Sequence, residues 1–188
     1  MGPALAELEI RRVGYGHPDA VRLIEEVQAE YVVRYGGRDR TPLDPLMFEP
    51  PTGSFFVGYV PVERGARPVA SGAWRAHEDV EAFGSRRTAE IKRMYVVPDL
   101  RGQGLARRML AVLEESATAA GHDVMILETG TAQPEAIALY ESSGYTPIPP
   151  FGYYRHAPLN RCFAKPLHAN LSAAGRPDRP LSDPPCGQ

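Results

Sequence analysis

The sequence predicts a single α/β domain, and three observations carry that prediction. At 188 residues the chain has room for one full hydrophobic core and not for two. Apolar residues make up 43% and charged residues 23%, the balance of an ordinary globular domain. Stretches that alternate apolar and polar residues are interleaved with stretches of helical period, the pattern of strands separated by helices.

Leu8 to Val13 alternates apolar and basic residues and is expected as a first strand. His17-Pro18 opens a helix, because proline is tolerated in a first turn and Asp19 suits the positive end of the dipole. Ala20, Ile24, Val27 and Tyr31 recur at helical spacing and should face a sheet. Gly36 to Pro51 holds four prolines and two glycines, so it is expected as a loop with one short helical turn at Leu43 to Phe48. Ser54 to Val60 and Val69 to Trp74 read as strands joined by the charged loop Glu63 to Arg67. Ala76 to Arg87 is polar and reads as an exposed connection.

Thr88 to Val97 is expected as the central strand and Arg101 to Ala120 as the principal helix, burying Ala106, Met109, Leu110, Leu113 and Ala117. Gly121 ends it, as the residue most tolerant of a left-handed cap. Val124 to Thr129 is nearly all apolar, as a strand covered on both faces must be. A last helix runs from Pro134 to Ser143 and closes on Gly144-Tyr145. Then come a proline-rich bend, the aromatics Phe151, Tyr153 and Tyr154, and a strand near Arg161 to Lys165. Residues 169–188 have hardly any apolar bulk and are expected as a disordered tail, leaving 1–168 as the domain.

Composition excludes several partners. A net charge of −2 leaves no polyelectrolyte footprint for nucleic acid. The longest apolar run falls far short of the roughly 18 residues a membrane span needs. Met1 to Glu9 lacks the basic start of a signal peptide. Two cysteines, Cys162 and Cys186, make no disulfide framework, which implies a reducing cytoplasm. The five histidines are scattered without metal-ligand spacing, and neither H-E-x-x-H nor G-x-S-x-G occurs, so no metal is expected.

The stretch Val96 to Leu110, V-V-P-D-L-R-G-Q-G-L-A-R-R-M-L, joins a strand end, a glycine turn and a helix start. The first N–H groups of a helix have no intrahelical acceptor, and the macrodipole adds positive charge there. Glycine removes the Cβ that would keep an anion away, so this turn suits a phosphorylated ligand. It is not a Walker loop, which needs G-x-x-x-x-G-K-[ST]. It is not a dinucleotide fingerprint either, since Arg107 stands where the third glycine belongs.

Three segments in order, A-E-I-K-R-M-Y-V-V-P (Ala89 to Pro98), R-G-Q-G-L-A (Arg101 to Ala106) and A-I-A-L-Y-E-S-S-G-Y (Ala136 to Tyr145), resemble the core of the GNAT superfamily of acyl-CoA-dependent N-acyltransferases. The resemblance implies one GNAT-type domain with a mixed, mostly antiparallel sheet of about six to seven strands, about four flanking helices, and splayed central strands that form an acetyl-CoA cleft. It implies acetyl-CoA as co-substrate, with the pyrophosphate on the backbone of Arg101, Gly102, Gln103, Gly104, Leu105 and Ala106. Tyr95, Val96 and Val97 would pair with the pantetheine arm, one N–H there polarising the thioester carbonyl. Gln133 stands where the family often has asparagine before the last helix, and Tyr95 is bulkier than the residue common at the strand bulge. Arg107 and Arg108 are read either as nucleotide-phosphate ligands or as solvated helix charges.

For catalysis the resemblance places Tyr140 as the acid that protonates the departing sulfur. Glu90 takes the position of the strand glutamate that serves as general base in several members, including histone acetyltransferases. Its alternatives are a partner for Lys92 or Arg93 and an anchor for a cationic substrate; Glu128 is the reserve base. Alternation sends Lys92 and Arg93 to opposite faces of the strand, and a cation turned into the cleft could hold a substrate carboxylate or close an internal ion pair. Tyr153 and its neighbours would overhang the acceptor. The expected activity is transfer of an acetyl group to the primary amine of a small molecule, such as an amino acid or a derivative, by direct attack in a ternary complex. A protein-lysine acceptor and a non-catalytic acyl-CoA sensor are the rival readings, and a homodimer is left open.

Overall fold

A computed structural model describes residues 7–168, so the expected tail and Cys186 lie outside the described residues. The elements run β1 (Glu9–Val13), α1 (Pro18–Tyr35), a 3-10 turn (Pro45–Phe48), β2 (Gly53–Pro61), β3 (Ala66–Ala76), β4 (Thr88–Val96), a second 3-10 turn (Pro98–Leu100), α2 (Leu105–Ala119), β5 (Val124–Gly130), α3 (Pro134–Ser142), β6 (Thr146–Ile148) and β7 (Asn160–Pro166). All seven strands form one sheet in the order β1-β2-β3-β4-β5-β7-β6. Only the β4–β5 pair is parallel. Three α-helices flank this sheet among the described residues, against about four expected.

Local chemistry sets the helix ends. The His17 ring accepts the Asp19 N–H at 3.2 Å, Pro18 fills the first turn of α1, and Gly36 ends it at φ +75°. Helix α2 starts at Leu105 rather than Arg101. Gly102 and Gly104 sit at φ +74° and +90°, a left-handed backbone that no right-handed helix can include. At the end of α3 the Tyr145 N–H donates to the Tyr140 carbonyl at 3.1 Å across a left-handed Gly144, as the sequence predicts. Strand β6 was hidden by Pro147 within it and the two prolines after it. It lies at the sheet edge, where a missing N–H breaks no ladder.

Helix α2 covers one face of the sheet, close enough that a Cβ on Gly72 would lie 2.8 Å from the Met109 side chain. Helix α1 covers the other, where Tyr59 donates its hydroxyl to Asp19 at 2.9 Å. Between these layers Phe55, Trp74, Leu110 and Leu113 are wholly buried. Burial of such side chains contributes about 1.5–3 kcal/mol each.

Two irregularities of the sheet make the site. Strands β4 and β5 pair only from Thr88–Val124 to Glu90–Ile126. Past that point β4 follows β3 while β5 follows β7, and the two part. A bulge then falls in β4, where the register slips between Ser71 and Ala73 and Arg93 adopts φ +56°. The Ser71 hydroxyl donates to the Arg93 carbonyl at 2.8 Å and ties the bulge to β3.

Candidate active site

The parted strands open a cavity of about 1070 Å³, walled by β4, β5, the α2 turn, α3 and the loops after α1 and β6. One end is a run of unpaired backbone N–H groups. From Gly102 through Arg107 no N–H group donates to an acceptor among the described residues, and the first bond of α2 runs from Arg108 to Gly104. Gly102, Gly104 and Ala106 line the cavity, and Leu105 anchors the turn from below, 1% exposed. Arg101 takes a different part from the one expected. Its own N–H bonds Pro98 at 3.3 Å, its Nε donates to the Val96 carbonyl at 2.9 Å, and its guanidinium pairs with Glu30 over the Tyr95 ring. Arg107 is likewise engaged, bonding the hydroxyls of Ser142 and Ser143 at 2.8 and 2.9 Å and so fastening α3 to α2.

At the strand end the Val97 N–H is committed to Val69 at 2.9 Å, and Tyr95 pairs with Ser71 in the ladder. By the alternation of an antiparallel pair, the Val96 N–H between them points into the gap. Of the three residues expected to hold a pantetheine amide or polarise a thioester, Val96 has the free donor. Gln133 precedes α3 and accepts the Tyr35 hydroxyl at 3.1 Å.

Tyr140 stands on the buried face of α3, 5% exposed, with its ring edge-on to Tyr145. Its hydroxyl lines the cavity wall and has no hydrogen-bond partner among the described residues. Burial holds its pKa well above the ordinary phenol range, and the nearby Tyr31 adds to the effect. The group therefore keeps its proton until a strong base forms beside it.

Past the bulge lies a buried charged cluster. Glu90 is completely buried and meets Arg75 at 2.8 Å, His77 at 3.1 Å and Lys92 at 2.7 Å. Burial alone would raise its pKa, but His77, Lys92 and Arg75 outweigh it and hold the carboxyl down to about 2. Such a carboxylate is a very weak base, and Glu90 does not line the cavity. Glu128 does line it. Burial raises its pKa against the opposing pull of Lys92, whose ammonium lies 3.6 Å away, and Asn160 donates to it at 3.2 Å.

The expectation that alternation sends the two strand cations to opposite faces is corrected, and of the two roles left open for them the internal ion pair is the one present. The bulge cancels the alternation, so Met94 packs toward α2 while Lys92 and Arg93 both turn to the cleft. Both are also already paired, Lys92 with Glu90 and Glu128, and Arg93 with Asp39 at 2.7 Å. Arg75, His77, Asp39 and Asn160 were missed. Cross-strand register decides the first two, and Asp39 sits in a proline-rich loop without periodicity; only its place between two arginines hinted at a role.

The far end of the cavity is roofed. The loop after α1 and the loop after β6 are joined where the Arg40 N–H donates to the Tyr154 hydroxyl at 2.7 Å. Gly152, at φ +75°, lies against Glu128, and a Cβ there would fall 2.9 Å from its carboxylate. Tyr153 is 53% exposed at the rim and lines the cavity.

A sheet parted between parallel neighbours, with a glycine turn of free N–H groups at one end, is the arrangement that the resemblance to acyl-CoA-dependent acyltransferases implies. Residues 21–145 match the model of the acetyltransferase (GNAT) family, and the chain belongs to that family of acyltransferases. It is 30% identical over 138 residues to an uncharacterised N-acetyltransferase of Escherichia coli (strain K12), covering 70% of this chain and 77% of that one. It is 45% identical over 78 residues to a protein named IAA acetyltransferase from Azospirillum brasilense. That match covers 42% of this chain and spans about half, 51%, of the relative's length. Among solved structures, a candidate acyl-CoA N-acyltransferase from Klebsiella pneumoniae superposes with a TM-score of 0.67 at 29% identity, covering 87% of this chain and 99% of that one. A candidate acetyltransferase from Salmonella typhimurium, solved with acetyl-CoA, has a TM-score of 0.58 at 18% identity over 87% of this chain and 95% of its own. At that identity the likeness concerns the fold. No helix of the described residues is long and apolar enough to cross a membrane.

Proposed function

We propose that the protein transfers an acetyl group from acetyl-CoA to the primary amine of a small molecule in a ternary complex. The observation that carries this reading is the cavity itself. It runs from unpaired backbone N–H groups at the α2 turn, past the Tyr140 hydroxyl, to a roofed end at Glu128. The turn suits the substrate's pyrophosphate, because free donors, a helix dipole and glycine coincide there. Acetyl-CoA supplies an acyl thioester whose carbon forms the new C–N bond as the C–S bond breaks. The Val96 N–H is placed to polarise the thioester carbonyl. Glu128 takes one proton from the acceptor ammonium and passes it to solvent. Tyr140 gives its proton to the departing sulfur and regains one from the newly bonded nitrogen, so each turnover releases one net proton. A thiolate expelled into the same dry pocket is destabilised alongside the phenolate, which keeps the transfer feasible despite the raised phenol pKa.

The joined loops favour a small acceptor over a lysine on a folded protein, since they cover the end where the amine must lie. Amino acids and their derivatives stay within the reading through Arg40, a cavity-lining cation with no acidic partner among the described residues. The test is thiol release from acetyl-CoA across small amines, amino acids, their decarboxylated counterparts and a lysine peptide, with wild type and Glu128→Gln. Turnover of a small amine, lost in Glu128→Gln at neutral pH, is the expected result. Preference for the peptide would overturn the small-molecule acceptor, and no release with any acceptor would favour the sensor reading.

A further inference from the structure

Glu90 is a costly residue that touches no part of the cavity. A carboxylate removed from water loses several kcal/mol of hydration unless partners replace it. Here it has three: Arg75, on the neighbouring strand, His77, just beyond that strand's end, and Lys92, on its own. Arg75 and His77 approach Oε2, away from Lys92, which approaches Oε1. The Lys92 ammonium lies 2.7 Å from Glu90 and 3.6 Å from Glu128, so it stands between two carboxylates and nearer the one outside the cavity. Lys92 is the partner of Oε1, the oxygen that Arg75 and His77 leave free.

We propose that Glu90 is a positioning residue: anchored by Arg75 and His77, it detains the Lys92 ammonium and thereby loosens its hold on the Glu128 carboxylate at the cleft wall. The inference rests on the reading of Glu128 as the group that takes the acceptor's proton. Without Glu90, the nearest anion to Lys92 would be Glu128, and a tight ion pair would weaken it as a base and screen it from an incoming ammonium. The groups that face Glu128 are few. Lys92 and Glu90 come from β4, Asn160 and Cys162 from β7, and the backbone of Gly152 closes over it from the loop after β6. Only Lys92 among them is a cation. Its division between two carboxylates therefore sets how strong a base Glu128 is.

The two halves of the pair should act in opposite directions. Carbon-13 titration of the Glu128 side-chain carboxyl in the free protein reads this without any turnover. In Glu90→Gln the Glu128 pKa should fall by about one unit, and in Lys92→Met it should rise by about one unit. The acid limb of kcat/KM should move with it in each variant. If Glu90→Gln does not fold, Glu90→Asp withdraws the carboxylate by one methylene and should give a smaller fall of the same sign. A Glu128 titration unmoved by either Glu90 variant, or moved in the same direction by loss of Glu90 and of Lys92, would overturn the proposal. Full turnover in Glu128→Gln would instead end the reading of Glu128 as base, whatever the titrations show.

Discussion

Tyr140 and Glu90 were both placed by resemblance to a motif, and their surroundings part them. The phenol lines the cavity without a protein partner among the described residues, which suits the proposed proton transfer to a departing thiolate. Its removal should be felt in the chemical step alone. Tyr140→Phe is expected to lower kcat by on the order of a hundredfold while acetyl-CoA affinity, measured by calorimetry, stays at the wild-type value. Unchanged turnover would mean that the thiolate leaves without this proton. Glu90 is on the right strand, but partners from β3 and from beyond its end change its chemistry. A single sequence cannot show that Arg75 lies directly across from it, because register is a property of two strands.

The deciding element is the join of β4, the 3-10 turn and α2. Proline and two glycines end the strand and set the helix start. The sequence shows this, although it gives the helix four residues too many at its beginning, from Arg101 rather than Leu105. The excess comes from counting the loop's arginine and glycines as a first turn, when positive φ at Gly102 and Gly104 makes them an N–H cradle. Gly104→Val forces a β-branched side chain toward φ +90° and costs about 1–3 kcal/mol of local strain. We expect acetyl-CoA affinity to fall by more than about tenfold, an effect of at least 1.4 kcal/mol, with far-UV circular dichroism retained. Wild-type affinity in the folded variant would remove the turn from the binding site. The β4 bulge is the counterpart that the sequence hides. Nothing in I-K-R-M-Y marks Arg93 for a left-handed backbone, yet that one residue turns two cations to the same side.

Across the whole molecule, the buried cluster links function to acid stability. Glu90 has its pKa lowered from 4.5 to about 2 in the folded chain. Its contribution is therefore fully present above pH 4.5 and is lost as pH falls from there toward 2. Urea unfolding of Glu90→Gln should show a loss of about 3 kcal/mol at pH 7, because Arg75 then lacks its buried counter-ion and Lys92 keeps only Glu128. The gap from wild type should narrow as pH falls below 4.5; a gap independent of pH would assign the loss to packing instead. By itself the sequence determined the class of domain, the order and type of most elements, the family, and the turn suited to a phosphate. All of these depend on local periodicity, glycine and proline placement, and contiguous motifs. The tertiary structure alone decided that β4 and β5 separate after Glu90, that the bulge gathers Lys92 and Arg93 on one side, and that Glu128 rather than Glu90 faces the cavity. Those outcomes depend on strand register and on charges brought together from distant parts of the chain, and burial then fixes how each charge behaves.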